Sequence, residues 1–379
     1  MLAIKNGKII LEKEIIQGKY LLVEDGRIAG ISGSCPENCE VIDAKYNFVS
    51  PGFIDIHVHA AGGYDTMDES SESINEISKI LARHGVTSFL PTTMTVAEEK
   101  IKNALKNVRY SMDNGTDGAS VLGAHLEGPF LNVKKKGAHD EKYIREPDID
   151  FFTDLIDGDF SVVKTVTIAP ELNGALEFIE FIENKGITAS LGHSDGTYDD
   201  VIKAVEHGAT HSTHLYNAMT GLNHRAPGVV GAIFDSPITT EFIADGVHIH
   251  FAAIRTALKV KGCEKCSLIT DAMKACDLGD GKYELGGLEV FVKNGEARLK
   301  DGTLAGSTLT LDRAVRNIIK NTNLSIAEAV SMATEVPAKV SRVADRKGSL
   351  KKGYDADIVI FDDNINIKTT IVGGKVVYK

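Results

Sequence analysis

Residues 175–215 read ALEFIEFIENKGITASLGHSDGTYDDVIKAVEHGATHSTHL. Ala175–Lys185 repeats apolar residues at helical spacing and stops at Gly186, the left-handed position that commonly closes a helix. Thr188–Leu191 is a short apolar run of strand length, and it ends in Gly192-His193-Ser194-Asp195. The pattern then repeats, with a helix over Tyr198–His207, a stop at Gly208, and a second run at Thr210–Thr213 ending in His214. Strand, polar loop, helix and glycine stop form a unit that returns within about twenty residues.

The same unit extends in both directions. Apolar runs recur at Phe53–Ile56, Thr87–Leu90, Val121–Ala124, Val162–Ile168, Glu241–Ala244 and Ser267–Thr270, and Ile74–His84 reads as another helix stopped by Gly85. Eight strands alternating with helices over about 270 residues imply a (β/α)8 barrel of the TIM type, an α/β fold. An open doubly wound sheet is the alternative, but no G-x-G-x-x-G follows the first strand.

Both ends of the chain read as β-structure. Leu2–Leu11 and Tyr20–Ile31 carry turn signals at Asn6-Gly7 and Asp25-Gly26, and Ala356–Phe361 and Thr369–Tyr378 surround a Gly373-Gly374 turn. The pieces IKNGKII and IVGGKVV resemble each other across the length of the chain. Short strands with open edges need partners, so the two ends are expected to share one small β domain. The expected division is residues 1–50 plus 346–379 for that domain and 51–345 for the barrel. A β insertion is expected around 283–304, with a turn at Asn294-Gly295.

The composition narrows the function. Of 379 residues, 43% are hydrophobic and 25% charged, an ordinary globular mix. The formal charge of -11 argues against a protein that coats nucleic acid or anionic membrane, while leaving room for a local basic pocket. The start lacks the pattern of a signal peptide, and no apolar run approaches the ~18 residues of a membrane span, so a cytoplasmic protein is expected. Cysteines stand at 35, 39, 263, 266 and 276. Cys263-Glu-Lys-Cys266 has metal-knuckle spacing but no second pair, so all five are read as thiols without a disulfide framework or zinc site.

Catalytic groups in such barrels gather where strands end. Here the strand ends carry His57-Val58-His59, His125-Leu126-Glu127, His193, His214, Asp245-Gly246-Val247-His248 and Asp271. In H-x-H, residues i and i+2 face the same side of a strand, so both imidazoles can share one metal ion, and Glu127 can bridge to a second ion completed by His193 and His214. Nitrogen and oxygen donors in this mixture suit zinc or iron, with manganese or cobalt possible, rather than calcium. Other histidines have plainer readings. His84 and His207 close helices, His211 packs inside its strand, His125 stands behind Glu127, and His250 lies on the surface. Lys134-Lys135-Lys136 reads as a solvated loop that is able to close over an anion.

PGFIDIHVHAAGG, HLEGPF, GHSDGTYDD, THLYNAMTGLNHRAPGVVGA, IADGVHIH and TDAM follow in this order. Together they resemble the N-acetylglucosamine-6-phosphate deacetylase family of the amidohydrolase superfamily, over essentially the whole chain. The resemblance implies a (β/α)8 barrel with a small β-sandwich built from both termini, and a homodimer. It implies that Glu127, His193 and His214 are the common metal ligands, with His57 and His59 as an additional pair and one or two ions per subunit. It casts Asp271 as the catalytic acid/base and His139 as a catalytic hydrogen-bond donor near the acetyl group. Ala138, Asn217, Ala218, Arg225, His248, Leu304, Ala305 and Gly306 match substrate-binding positions. The implied substrate is a phosphorylated amino sugar, with no nucleic-acid or membrane partner.

A metal ion answers the inertness of an acetamide by polarising its carbonyl and acidifying water. Asp271 would move a proton from water to the departing amine. The rival readings are another amidohydrolase, such as a deaminase or a deacetylase of a different sugar, and a catalytically silent sugar-phosphate binder.

Overall fold

The computed structural model describes residues 1–12 and 14–379. Its centre is eight parallel strands: β1 (Phe53–Val58), β2 (Val86–Pro91), β3 (Ala124–Glu127), β4 (Val163–Ile168), β5 (Thr188–Leu191), β6 (His211–Ser212), β7 (Thr239–Ile243) and β8 (Cys266–Ile269). Strands β3 to β8 pair in chain order, and β1 pairs with β2. Bridges from Thr92 to His125 and from Val58 to Ala272 join the two sheets, so the strands curl into a distorted (β/α)8 barrel. Every residue of β1 and β2 is buried, as parallel strands covered by helices require.

Local chemistry explains the helices around this centre. Ser70 caps the N-terminus of helix Ser71–Arg83, and Thr197 with Asp200 forms a reciprocal capping box at Tyr198–Glu206. Helix Ala175–Asn184 ends at Lys185, after which Gly186 takes φ +77°, a conformation that costs a side chain energy and glycine nothing. His84 and His207 cap their helices as expected. The run Val121–Ala124 is displaced. Ser120–Val121 pairs with β2 as a separate short strand, Gly123 turns the chain at φ +144°, and β3 begins only at Ala124.

The barrel interior is polar toward the strand ends. His125 Nδ1 lies 3.1 Å from the Ile56 carbonyl and donates to it, so Nε2 accepts from Thr167 Oγ1 at 2.7 Å. Thr167 Oγ1 is 2.8 Å from Thr213 Oγ1, which is 2.6 Å from Ser190 Oγ. This closed chain satisfies groups that would otherwise be buried without partners, and it makes a rigid floor beneath the site.

The termini build two further sheets. Leu2–Lys5 lies between Tyr20–Glu24 and Glu40–Asp43, with Arg27–Ser32 at the edge. Lys8–Ile10, Ile15–Ile16 and Phe48–Pro51 join Ile358–Phe361, Ile367–Val372 and Lys375–Tyr378 in a six-stranded sheet that mixes both ends of the chain. Ile4, Ile9, Leu21, Ile28, Val49, Ile358 and Ile371 fill the sandwich between them. Asn6-Gly7 is therefore no hairpin turn: the chain passes there from one sheet to the other. After β8, Gly281–Leu285, Leu288–Lys293 and Glu296–Arg298 form a separate antiparallel sheet.

One expectation is corrected. Cys35 and Cys39 are joined as a disulfide across the turn before Glu40–Asp43, while Cys263, Cys266 and Cys276 are free thiols. Spacing alone could not reveal the first pair, because two cysteines with three residues between them read as incidental. Among the described residues no helix is long and apolar enough to cross a membrane.

Candidate metal centre and active-site cleft

Glu127, at the end of β3, stands at the middle of a histidine cluster. Its Oε1 lies 3.2 Å from His193 Nε2, 3.1 Å from His214 Nε2 and 3.4 Å from His57 Nε2. Its Oε2 lies 3.2 Å from His59 Nε2 and 3.4 Å from His139 Nε2. Asp271 Oδ1 faces the same space, 3.2 Å from His59 Nε2 and 3.6 Å from His57 Nε2. Five different strand ends and one loop thus deliver these side chains to one point.

Hydrogen bonds on the far side of each ring assign the tautomers. His57 Nδ1 donates to Glu241 Oε2 at 3.2 Å, His59 Nδ1 to the Thr92 carbonyl at 3.2 Å, and His193 Nδ1 to the Lys135 carbonyl at 2.7 Å. In the neutral rings this leaves a lone pair on each Nε2, directed at Glu127. His139 is the opposite case. Its Nδ1 accepts from the Thr95 backbone N–H at 3.3 Å, so Nε2 carries the proton and is a donor. Ring orientation therefore separates ligand-competent histidines from a hydrogen-bond donor within one cluster.

The arrangement demands positive charge. Glu127, Glu241 and Asp271 are three buried carboxylates around the same rings. Burial opposes a charged His57, yet Glu127 and Asp271 outweigh it and hold that ring's pKa well above the usual value. His59 is likewise raised to about 9, burial being overcome by its bonds to Asp271 and Glu127. Burial also opposes ionisation of Glu127 and Asp271, but His57 and the neighbouring rings hold both below the usual carboxylate range. His125 is pushed down to about 3 by burial and by His57, which makes it a neutral supporting residue.

A divalent cation fits this site on the structure's own terms. His57 Nε2 is buried without a hydrogen-bond partner, and His193 Nε2 and His214 Nε2 stand 3.1 Å apart with carboxylate oxygens beside them. A cation replaces the protons that such a cluster otherwise recruits. His57, His59 and Glu127 form one compact donor set, and Glu127 and His193 belong to another with His139.

The cluster lies at the bottom of a cleft of about 490 Å³. Of the expected substrate positions, Ala138, Asn217, Ala218, His248, Leu304 and Gly306 line it, together with His139, Lys134, Lys135 and Lys136. Ala305 does not: it is buried, with its backbone N–H bonded to the Ala297 carbonyl. Arg225 also lies outside the cleft of its own chain, exposed on a loop with Nη1 2.8 Å from His224 Nε2. Leu285 and Leu288 of the inserted sheet form an apolar wall.

Two residues outside the sequence reading hold the site. Glu241 in β7 bonds His57 through Oε2, accepts from the His214 backbone N–H at 3.0 Å, and meets His211 Nε2 at 3.1 Å through Oε1. Glu171, just past β4, accepts from Asn132 Nδ2, Ser194 Oγ and the Asp195 backbone N–H at 2.8, 2.6 and 2.7 Å. It thereby ties the loop of His193 to the loop of His139. The available signal was a carboxylate within an apolar run for Glu241, and one at an otherwise empty strand end for Glu171.

Comparison with known proteins agrees with this geometry. The amidohydrolase family model matches residues 48–377. N-acetylglucosamine-6-phosphate deacetylase of Bacillus subtilis is 39% identical over 384 residues, covering 100% of this chain and 97% of that protein. N-acetylgalactosamine-6-phosphate deacetylase of Escherichia coli O157:H7 is 38% identical, covering 97% of each. The crystal structure of N-acetylglucosamine-6-phosphate deacetylase from Pasteurella multocida superposes with a TM-score of 0.94 at 35% identity, covering 99% of both chains. The chain belongs to the amidohydrolase family and groups within it with the N-acetylglucosamine-6-phosphate deacetylases.

Proposed function

We infer that the protein is a metal-dependent hydrolase that converts N-acetyl-D-glucosamine 6-phosphate to D-glucosamine 6-phosphate and acetate, in amino-sugar catabolism. The observation that carries this reading is the buried His/Glu cluster, set in a chain that matches such deacetylases end to end. A second reading, the galacto epimer of the same substrate, is favoured by the relative named for it. Comparing kcat/KM for the two sugar phosphates decides between them.

Glu127, His193 and His214 are proposed as the residues that would hold one ion, and His57 and His59 with Glu127 as those that would hold a second. Zinc or iron suits these donors, with manganese or cobalt as alternatives. When bound, the ion supplies Lewis acidity toward the acetamide carbonyl and lowers the pKa of water at the site. Asp271 Oδ1 faces that space, and it takes the proton from the attacking water and returns it to the departing amine nitrogen. His139 carries its proton on Nε2 and would donate it to the oxygen on which charge develops, a contribution of about 3–4 kcal/mol in comparable sites.

Asn217, Ala218 and His248 are proposed to meet the sugar phosphate, and Leu304 and Gly306 the sugar. Arg225 does not line the cleft of its own chain, so its proposed role as a phosphate contact goes with the proposed homodimer, in which a second copy would supply it. A sugar phosphate is charged and does not diffuse through a bilayer, which supports a cytoplasmic place of action. The division into a terminal β domain (1–50 plus 346–379) and a barrel domain (51–345) is retained as a proposal. Acetate release by metal-loaded protein, with Asp271→Asn as control, tests the reading.

A further inference from the structure

In the loop after β7, Asp245 does more than close a turn. Its Oδ1 accepts from the backbone N–H groups of Val247 and His248, both at 2.8 Å. Its Oδ2 accepts from His248 Nδ1 at 2.7 Å. Side-chain exposure is 13% for Asp245 and 6% for His248, and His248 lines the cleft with Asn217 and Ala218. Because Nδ1 is taken by Asp245, Nε2 is the ring nitrogen left for a ligand.

Three charged groups act on this ring. Burial favours the neutral form, but the bond and charge of Asp245 outweigh it, with help from Asp271 at the end of β8 and opposition from Arg298 on the inserted sheet. His248 is therefore raised above its usual value, and the same contact holds Asp245 below the usual carboxylate range against the effect of burial. Lys134, Lys135, Lys136 and Asp301 also line the cleft.

We propose that Asp245 is a positioning residue that presents His248 to the cleft as an imidazolium, so that its Nε2–H selects substrates bearing a dianionic phosphate. The inference rests on the reading of His248 as a phosphate contact. It assigns the selectivity to a charge held by a carboxylate that need not touch the substrate, because a donor bearing full charge binds phosphate more strongly than a neutral one.

Asp245→Asn separates charge from geometry. An asparagine oxygen still accepts from the two backbone N–H groups, and its Nδ2–H donates to His248 Nδ1. The ring stays oriented and Nε2–H stays a donor, but the positive charge is lost. The experiment is kcat and KM for N-acetylglucosamine 6-phosphate from pH 6 to 8.5 on metal-loaded wild type and D245N, with inorganic phosphate as a competing ligand. At pH 7 the variant's KM is expected about tenfold higher with kcat within about twofold, and the inhibition constant of phosphate is expected to rise in parallel. The gap stays open toward pH 6, because the asparagine Nδ2–H occupies His248 Nδ1 and burial disfavours a proton there. In a His248→Gln background, D245N adds no further loss. A KM equal to that of wild type at every pH, a defect confined to kcat, or a further loss in the His248→Gln background overturns the inference. Failure of the underlying phosphate reading is visible separately, in wild type alone, as equal KM for the sugar with and without phosphate.

Discussion

The chemistry of the centre depends on which ring nitrogen carries a proton, and the backbone settles this for His139. The Thr95 N–H occupies Nδ1, leaving a donor at Nε2, whereas carbonyl and carboxylate partners turn His57, His59 and His193 the other way. Asp271 is the group in this space assigned to move protons. Asp271→Asn keeps the volume and removes the base, so kcat is expected to fall by a factor of about 10²–10⁴ while KM changes little. Steady-state kinetics on metal-loaded enzyme reads the split. A variant that loses KM and retains kcat would move Asp271 from proton transfer to substrate binding.

At the scale of elements, the helix Phe251–Lys261 is tied to the preceding segment by Lys261, whose Nζ donates to the carbonyls of Ile233 and Ser236 at 2.8 Å each. Burial, with Lys265 nearby, pushes its pKa down from 10.5 to about 8. The unfolded chain therefore holds a proton that the folded chain has released between those values. The stabilising contribution is complete above pH 10.5 and is lost as pH falls through 8. Lys261→Met is expected to flatten this dependence, seen as a smaller gain in urea midpoint between pH 7.5 and 9.5 than wild type shows.

Most elements were legible because period and punctuation agreed. Thr188–Leu191 is a strand to the residue, bounded by Gly186 before it and Gly192 after. Val121–Ala124 misled because apolar continuity hid the turn at Gly123, and because β3 continues into buried His125 and Glu127, which an apolar pattern leaves out. The ligand candidates stood out as polar residues at strand ends. Glu241 did not: His211 stands on the neighbouring strand, but its other partner, His57, comes from β1, and only the closed barrel brings the two together. Arg225 was legible as a motif residue, but its place outside the cleft depends on a loop whose course the motif does not contain.

For the whole molecule, the barrel concentrates buried carboxylates and imidazoles that a divalent ion balances. Dialysis against a chelator is expected to abolish acetate release and lower the Tm, with both restored by added divalent ion. Mass action alone adds about 2.7 kcal/mol when free ion is a hundred times its Kd. A Tm insensitive to chelation, in protein shown by elemental analysis to have lost its ion, would contradict a load-balancing role for the metal. The activity inferred for this cleft is hydrolysis of a phosphorylated N-acetyl sugar. The most direct measurement is acetate release from N-acetylglucosamine 6-phosphate by metal-reconstituted protein, beside the unphosphorylated sugar. Rapid release from the phosphate ester, with little from the free sugar, is the predicted result. Release from neither sugar by protein that holds its metal would contradict the account.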